Sequence, residues 1–159
     1  MFLQKEDLKN NIYTYQVEQI TEGDDAIVLQ ALDTAEQEAK SYLTLNNKKE
    51  AADGRLKYDV DKIFSAKGKE RNPLIVSITL TIAKWWIVDL CNVDIIYEQA
   101  KDRYDRAVAW LKDIAKGNAN LNTLPLIKDE NQAIDDTPDE ELKDTWPWIY
   151  GSRKKFNHE

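Results

Sequence analysis

Hydrophobic positions along this chain recur mainly at three- and four-residue steps, the spacing that lines one side of an α-helix. Val28, Leu32, Ala35, Ala39 and Tyr42 follow that step, while Gln30, Asp33, Glu36 and Lys40 fall on other faces. A half-buried helix over about residues 22–43 is predicted. The preceding Thr21-Glu22-Gly23-Asp24 reads as a capping-box variant, with the Thr21 hydroxyl taking a backbone amide and Asp24 sitting against the positive helix end. Upstream, Leu8 and Ile12, then Tyr13, Val17 and Ile20, suit one or two short helices within residues 6–20, packed on a larger body. Downstream, residues 46–50 and 53–55 are polar and read as a solvated loop; Tyr58 to Phe64 then reads as a short helix capped by Asp59.

Asn72-Pro73 is a helix-start signal, because Asn caps well and Pro at the first helical position gives up no needed hydrogen bond. The segment that follows supports two readings. Leu74, Val76, Ile78, Leu80 and Ile82 alternate with Ile75, Ser77, Thr79 and Thr81 as a strand would. Leu74, Ile78, Ile82, Trp85 and Val88 also form a helical stripe, and the apolar run to Cys91 exceeds an ordinary strand. Length decides for a helix, apolar on nearly all sides and therefore central. Lys84 and Asp89 interrupt the run, so it reads as a buried core helix and no membrane contact is expected. Lys84 would snorkel to water, and Asp89 would sit near the helix end or pair with an Arg such as Arg103. Asn92 should cap a third helix, whose Tyr97, Ala100, Tyr104, Ala107, Leu111 and Ile114 step by 3 and 4 before Gly117 ends it. Asp102 and Arg106 lie one turn apart on its outer surface, a pair worth only about 0.3–0.5 kcal/mol.

The predicted fold class is therefore all-α: a bundle of three main helices plus short N-terminal helices over residues 1–117, and a C-terminal arm over residues 118–159. Residues 118–125 look turn-like. Residues 128–144 hold eight acids against two lysines, and the chain closes with Trp146-Pro147-Trp148-Ile149-Tyr150 and the basic Arg153-Lys154-Lys155. An aromatic island of that kind is expected to dock on a partner or on the body itself.

Charge and composition narrow the chemistry. With 22 Lys+Arg against 29 Asp+Glu the net charge is −7, which disfavours strong nucleic-acid binding. Cys91 and His158 are the only residues of their kinds, which excludes intrachain disulfides and leaves zinc sites and His-based triads without ligands or a base. No targeting leader is recognisable at the start, so a cytoplasmic location is expected. Asp24-Asp25, Asp59/Asp61 and Asp135-Asp136 are the candidate carboxylate pairs, but their polar settings suit capping or solvation. Asp59-x-Asp61 starts like a calcium loop and fails, because Ile63 and Phe64 occupy positions that need an oxygen ligand and a Gly. Lys67, Lys69 and Arg71 surround Gly68 ahead of a helix start; without the P-loop spacing they read as a flexible loop of solvated charges, with contact to nucleic acid or an acidic protein patch as the alternative. Trp85, Trp86 and Trp110 read as core or interface residues, and Cys91 as a small buried apolar residue. No cofactor, metal or catalytic residue is predicted.

The order of several segments resembles a family of small tailed-phage and Mu-like prophage structural proteins, grouped with head-tail connector or adaptor proteins. The segments are Met1-Phe2-Leu3-x-Lys5-Glu6-Asp7-Leu8; Gln19-Ile20-Thr21-Glu22; Glu70-Arg71-Asn72-Pro73-Leu74; and Tyr97-Glu98-x-x-Lys101-Asp102-Arg103-Tyr104-Asp105-Arg106-Ala107-x-x-Trp110-Leu111. The Gly151-Ser152-x-x-Lys155-x-Asn157-His158 ending is also similar to members from gut bacteria. Gln4 departs from the Ser or Thr expected as the first cap. The resemblance implies a non-enzymatic virion or assembly protein, a homo-oligomeric ring between portal and tail proteins, made in the bacterial cytoplasm and carried in the particle. It further implies a channel through which DNA passes without specific binding. In that setting the Ile75/Ile82/Trp86 side and the Tyr97 to Ile114 seam would supply lateral contacts, and Trp146, Trp148 and Tyr150 would clip a neighbour. The rival reading is a small helical regulator or nucleic-acid-binding module using Lys67, Lys69, Arg71 and residues 153–155.

Overall fold

The computed structural model describes residues 2–49, 54–91 and 96–127, and the compact unit they form spans Met1–Ile127. A 3-10 turn, Lys5–Asn10, leads into α1 (Thr14–Ile20), α2 (Asp25–Lys48), α3 (Val60–Ser65), a second 3-10 turn at Gly68–Glu70, α4 (Pro73–Leu90) and α5 (Tyr97–Lys116). The described residues contain no strand beyond a single antiparallel bridge between Tyr58 and Leu126. The all-α bundle of three main helices is therefore observed. The readings that concern Asn92, Asp135-Asp136, Trp146, Trp148, Tyr150, residues 153–155 and His158 lie outside the described residues.

Helices α2, α4 and α5 each pack on the other two. Leu32 and Leu43 from α2, Ile75, Ile82 and Ile87 from α4, and Leu111 and Ile114 from α5 are almost wholly removed from water. Full burial of each such side chain contributes about 1.5–3 kcal/mol. By length and composition α4 could cross a membrane, yet here its sides carry the bundle's central contacts. The hydroxyls of its strand-like alternation are accommodated within the helix. Thr79 Oγ1 donates to the Ile75 carbonyl at 2.7 Å and Thr81 Oγ1 to the Ser77 carbonyl at 2.9 Å, so each is satisfied by the turn below it.

The helix ends follow cap chemistry. Asn72 Oδ1 accepts from the Leu74 and Ile75 amides at 3.0 and 3.2 Å, Asp59 from the Lys62 amide at 3.0 Å, and Gly117 closes α5 at φ 84°, where a Cβ would be strained. Asp24 is the cap of α2, accepting from the Ala26 amide at 2.8 Å. Thr21 was expected in that role but ends α1, its hydroxyl donating to the Val17 carbonyl at 2.9 Å. Glu22 and Gly23, both at positive φ, make the turn between the two helices, which moves the start of α2 later than predicted.

Helix α2 also runs past residue 43, and Asn46 and Asn47 belong to its last turn. Asn46 is buried and its Nδ2 donates to the Leu56 carbonyl at 2.8 Å. Asn47 exchanges two bonds with Tyr58, accepting from its amide at 2.9 Å and donating to its carbonyl at 2.6 Å. The amides that looked solvated instead hold an extended segment against the helix. Tyr58 itself is fully buried, and its hydroxyl accepts from the Leu121 amide at 2.8 Å. The Asp59 amide donates to the Pro125 carbonyl and the Ile127 amide to the Lys57 carbonyl, at 2.9 and 3.0 Å, while Leu124 enters the core. The body thus continues beyond Gly117, and residues 118–127 are part of it.

Candidate functional site

Two polar constellations organise the surface of the bundle. The first is built on Arg71, at the end of the Gly68–Glu70 turn. Its Nη1 and Nη2 donate to the two oxygens of Asp7 at 2.6 and 2.9 Å, Nη1 also to the Phe2 carbonyl at 3.0 Å, and Nε to the Gly68 carbonyl at 3.2 Å. The guanidinium holds the Asp7 carboxyl below its usual value. Phe2 is pinned at its other side, since its amide donates to Glu36 Oε2 at 2.8 Å, and Lys40 completes the set by pairing with Glu36 at 2.9 Å. Phe2 and Phe64 meet edge to face, and Phe2 and Leu3 are buried. Glu36 was expected on a solvent face; it is buried because it turns inward to receive the N-terminal segment. Asp7 Oδ2 also accepts from the Gln4 amide at 2.8 Å, so the 3-10 turn starts well without a Ser or Thr.

This arrangement corrects the basic-loop reading. Arg71 has its donors committed within the chain, so a phosphate would have to displace a carboxylate. Lys67 and Lys69 remain exposed beside it. The three cations therefore do not form one receptive patch.

The second constellation is centred on Glu38 of α2. Trp86 Nε1 of α4 donates to its Oε2 at 3.0 Å, and the Tyr104 hydroxyl of α5 to its Oε1 at 2.8 Å. Around it, Trp85 stacks on Tyr104 with centroids 5.4 Å apart and meets Tyr97 edge to face at 5.0 Å, and the Lys101 ammonium lies 5.5 Å from the Trp85 ring centre. Burial, then the hydrogen bond to Glu38, pushes the Tyr104 phenol well above its ordinary range. Trp86 was proposed as an interaction residue. Its indole is half-buried and tied to Glu38, so its polar edge is spent inside the subunit.

The faces proposed for lateral contacts behave the same way. Ile75, Ile82, Ala107, Leu111 and Ile114 are buried within one chain, because α2 covers what a bare pair of helices would expose. Exposed large apolar groups remain at Tyr97, where the seam begins, and at Leu74 and Leu90 of α4, but the most exposed are Tyr13 and Tyr15, which stack at 5.7 Å and are 68% and 61% exposed. A groove of about 300 Å³ lies between the first 3-10 turn and α1, with Leu8, Ile12 and Val17 among its lining residues.

The carboxylate candidates have structural tasks. Asp24 and Asp59 are caps, and Asp25 pairs with Lys5. No group of three or more metal-ligating side chains occurs among the described residues. Cys91 is half-exposed at the end of α4, and burial together with Asp24 and Glu22 raises its thiol above the ordinary value, which keeps it protonated at neutral pH. Asp89 is exposed in the last turn of α4 and makes no ion pair with Arg103.

Sequence reasoning missed Glu36, Glu38 and the Asn46-Asn47 pair. A signal was present for Glu36, which is flanked by the core positions Leu32, Ala35 and Ala39. For Glu38 none was, because its partners lie on two distant helices. Comparisons of the chain with protein-family models, with curated proteins and with solved structures return no match.

Proposed function

We propose that this protein is a non-enzymatic structural subunit of a tailed-phage or prophage particle, acting as a head-tail connector or adaptor. The observation that carries the reading is where the resembling segments lie. Residues 1–8 and 70–74, far apart in sequence, meet through Asp7, Arg71 and the Phe2 carbonyl, and Asn72 caps the central helix from the same loop. Two of the resembling segments thus meet in one structural unit, which supports reading their shared order as a shared architecture. Assembly as a ring, contact with portal and tail proteins, and an acid-lined DNA channel belong to the same proposal.

The buried helix faces mean that subunit contacts must use other groups. Tyr13 and Tyr15 on the body and Trp146, Trp148 and Tyr150 in the sequence of the arm are the candidates. The test is mass spectrometry of purified particles from the parent phage, together with electron microscopy of the purified full chain mixed with its portal protein. Multiple copies per particle and a ring on the portal are expected. Absence from particles, with no portal complex, overturns the proposal. Removing residues 128–159 should abolish assembly, and unchanged assembly would refute the role given to the arm. A gel shift at low salt tests the nucleic-acid rival, whose basic set has lost Arg71 to Asp7.

A further inference from the structure

The groove of about 300 Å³ between the first 3-10 turn and α1 has an apolar floor of Leu8, Ile12 and Val17. Thr14 also lines it, and on either side of Thr14 stand Tyr13 and Tyr15, whose stacked rings are largely exposed. Covering that floor and those rings with another apolar group is favourable, because it removes apolar surface from water. A space of this size suits one or two large side chains rather than the face of a second domain.

Charge selects among the occupants. Glu6 and Glu18 line the groove together with Lys5 and Lys9, and Asp25 is brought beside it by its pair with Lys5. Glu22 and Asp24 are exposed in the turn just before Asp25, so acids outnumber cations in this part of the surface. Two copies of the same face would repel each other, and an acidic segment or a nucleic acid would meet the same repulsion. The occupant that fits is aromatic, with cations close behind. The chain itself carries such a segment in Trp146-Pro147-Trp148-Ile149-Tyr150, followed by Arg153-Lys154-Lys155. Proline restricts the residue before it to extended conformations, so less entropy is lost on binding, and aromatic-lined grooves are established receptors for extended proline-containing segments. Residues 128–145 join this island to the body, which ends at Ile127, and a chain of that length spans up to about 60 Å, enough to reach a neighbouring copy.

We infer that residues 146–150 of one copy seat in the Leu8/Ile12/Val17 groove of a neighbouring copy, against Tyr13 and Tyr15, with residues 153–155 facing the acids around it. This contact rests on the reading that the arm links subunits, and it names the surface that receives the arm.

The test uses the purified full chain. A Trp148→benzoylphenylalanine variant is mixed with isotope-labelled parent and irradiated, and the cross-linked peptides are read by mass spectrometry; links from the variant to residues 8–18 of the labelled chain are expected. Sedimentation of the full chain should show self-association, weakened roughly tenfold by Trp146→Ala/Trp148→Ala and by Tyr13→Ala/Tyr15→Ala, with the four changes together costing little more than either pair. The tyrosines are exposed, so their removal should leave the circular dichroism of the bundle unchanged. Links confined to one and the same chain, links to another surface, or a monomeric full chain overturn the inference. So does association that needs the tyrosines but not the tryptophans, which would mark a contact between two like faces. Because purified chain alone is used, failure here leaves incorporation into phage particles to be decided by the particle measurement, and absence from particles would leave this contact standing.

Discussion

Arg71 shows how a residue's neighbours in space can reverse the meaning of its neighbours in sequence. Beside Lys67, Gly68 and Lys69 it resembles part of an anion loop; in the fold it is the tie between the central helix start and the N-terminal segment. Each charge-assisted bond of this kind is worth about 1.5–3 kcal/mol, so Arg71→Gln should destabilise the protein by roughly 2–4 kcal/mol in urea melts. Asp7 sets the acid limit of this tie. Its folded value lies below 3.8, so the stabilisation is complete above that pH and is lost as pH falls through the folded value. Asp7→Asn should therefore be less stable at neutral pH, and the gap from the parent should close on acidification; a constant gap would show that the pair is not the cause. Lys84 has the opposite sign. Burial, then Arg103, holds it below 10.5, so the unfolded chain binds the proton more tightly and stability rises with pH between the folded value and 10.5. Lys84→Met should remove that slope and raise stability at pH 7 by on the order of 1 kcal/mol. Destabilisation would show that the ammonium is already compensated.

At the scale of elements, local chemistry was legible wherever it was self-contained. The Asn72-Pro73 start, the Asp59 cap and the Gly117 stop depend on residues within one turn, and all three stand as predicted. The end of α2 was not legible, because the partners that satisfy Asn46 and Asn47 there, the backbone groups of Leu56 and Tyr58, come later in the chain. A polar pair at a helix end is indistinguishable in sequence from a loop when its partners come later in the chain. Asn47→Ala removes both bonds to Tyr58 and should cost about 1–3 kcal/mol. Gly117→Ala, forced into the left-handed region, should cost about 1 kcal/mol. Asn47→Ala should also accelerate hydrogen exchange at Tyr58 and Leu121, whereas Gly117→Ala should leave them protected.

At the scale of the molecule, periodicity was enough to identify three packed helices, and it overestimated the surface they leave open. The stripe on α4 and the seam on α5 are met by α2 in the same chain, a pairing that one-dimensional spacing cannot reveal. The body's end was misplaced for a related reason: residues 118–127 lack helical periodicity but deliver Leu124 to the core and backbone bonds to Lys57 and Asp59. Truncation after Ile127 should leave the melting transition of the body intact. Truncation after Gly117 should lower it by several degrees and expose Tyr58, as thermal unfolding followed by circular dichroism can show. Equal behaviour of the two truncations would place residues 118–127 outside the cooperative unit. Glu38 extends this cooperativity in another direction. One carboxylate receives a proton donor from each of two other helices, so α4 cannot swing away without stranding the indole, nor α5 without stranding the phenol. Partial opening is thereby penalised twice, and the middle amides of all three long helices should open to deuterium in one concerted event, with Glu38→Leu splitting it into separate, faster ones.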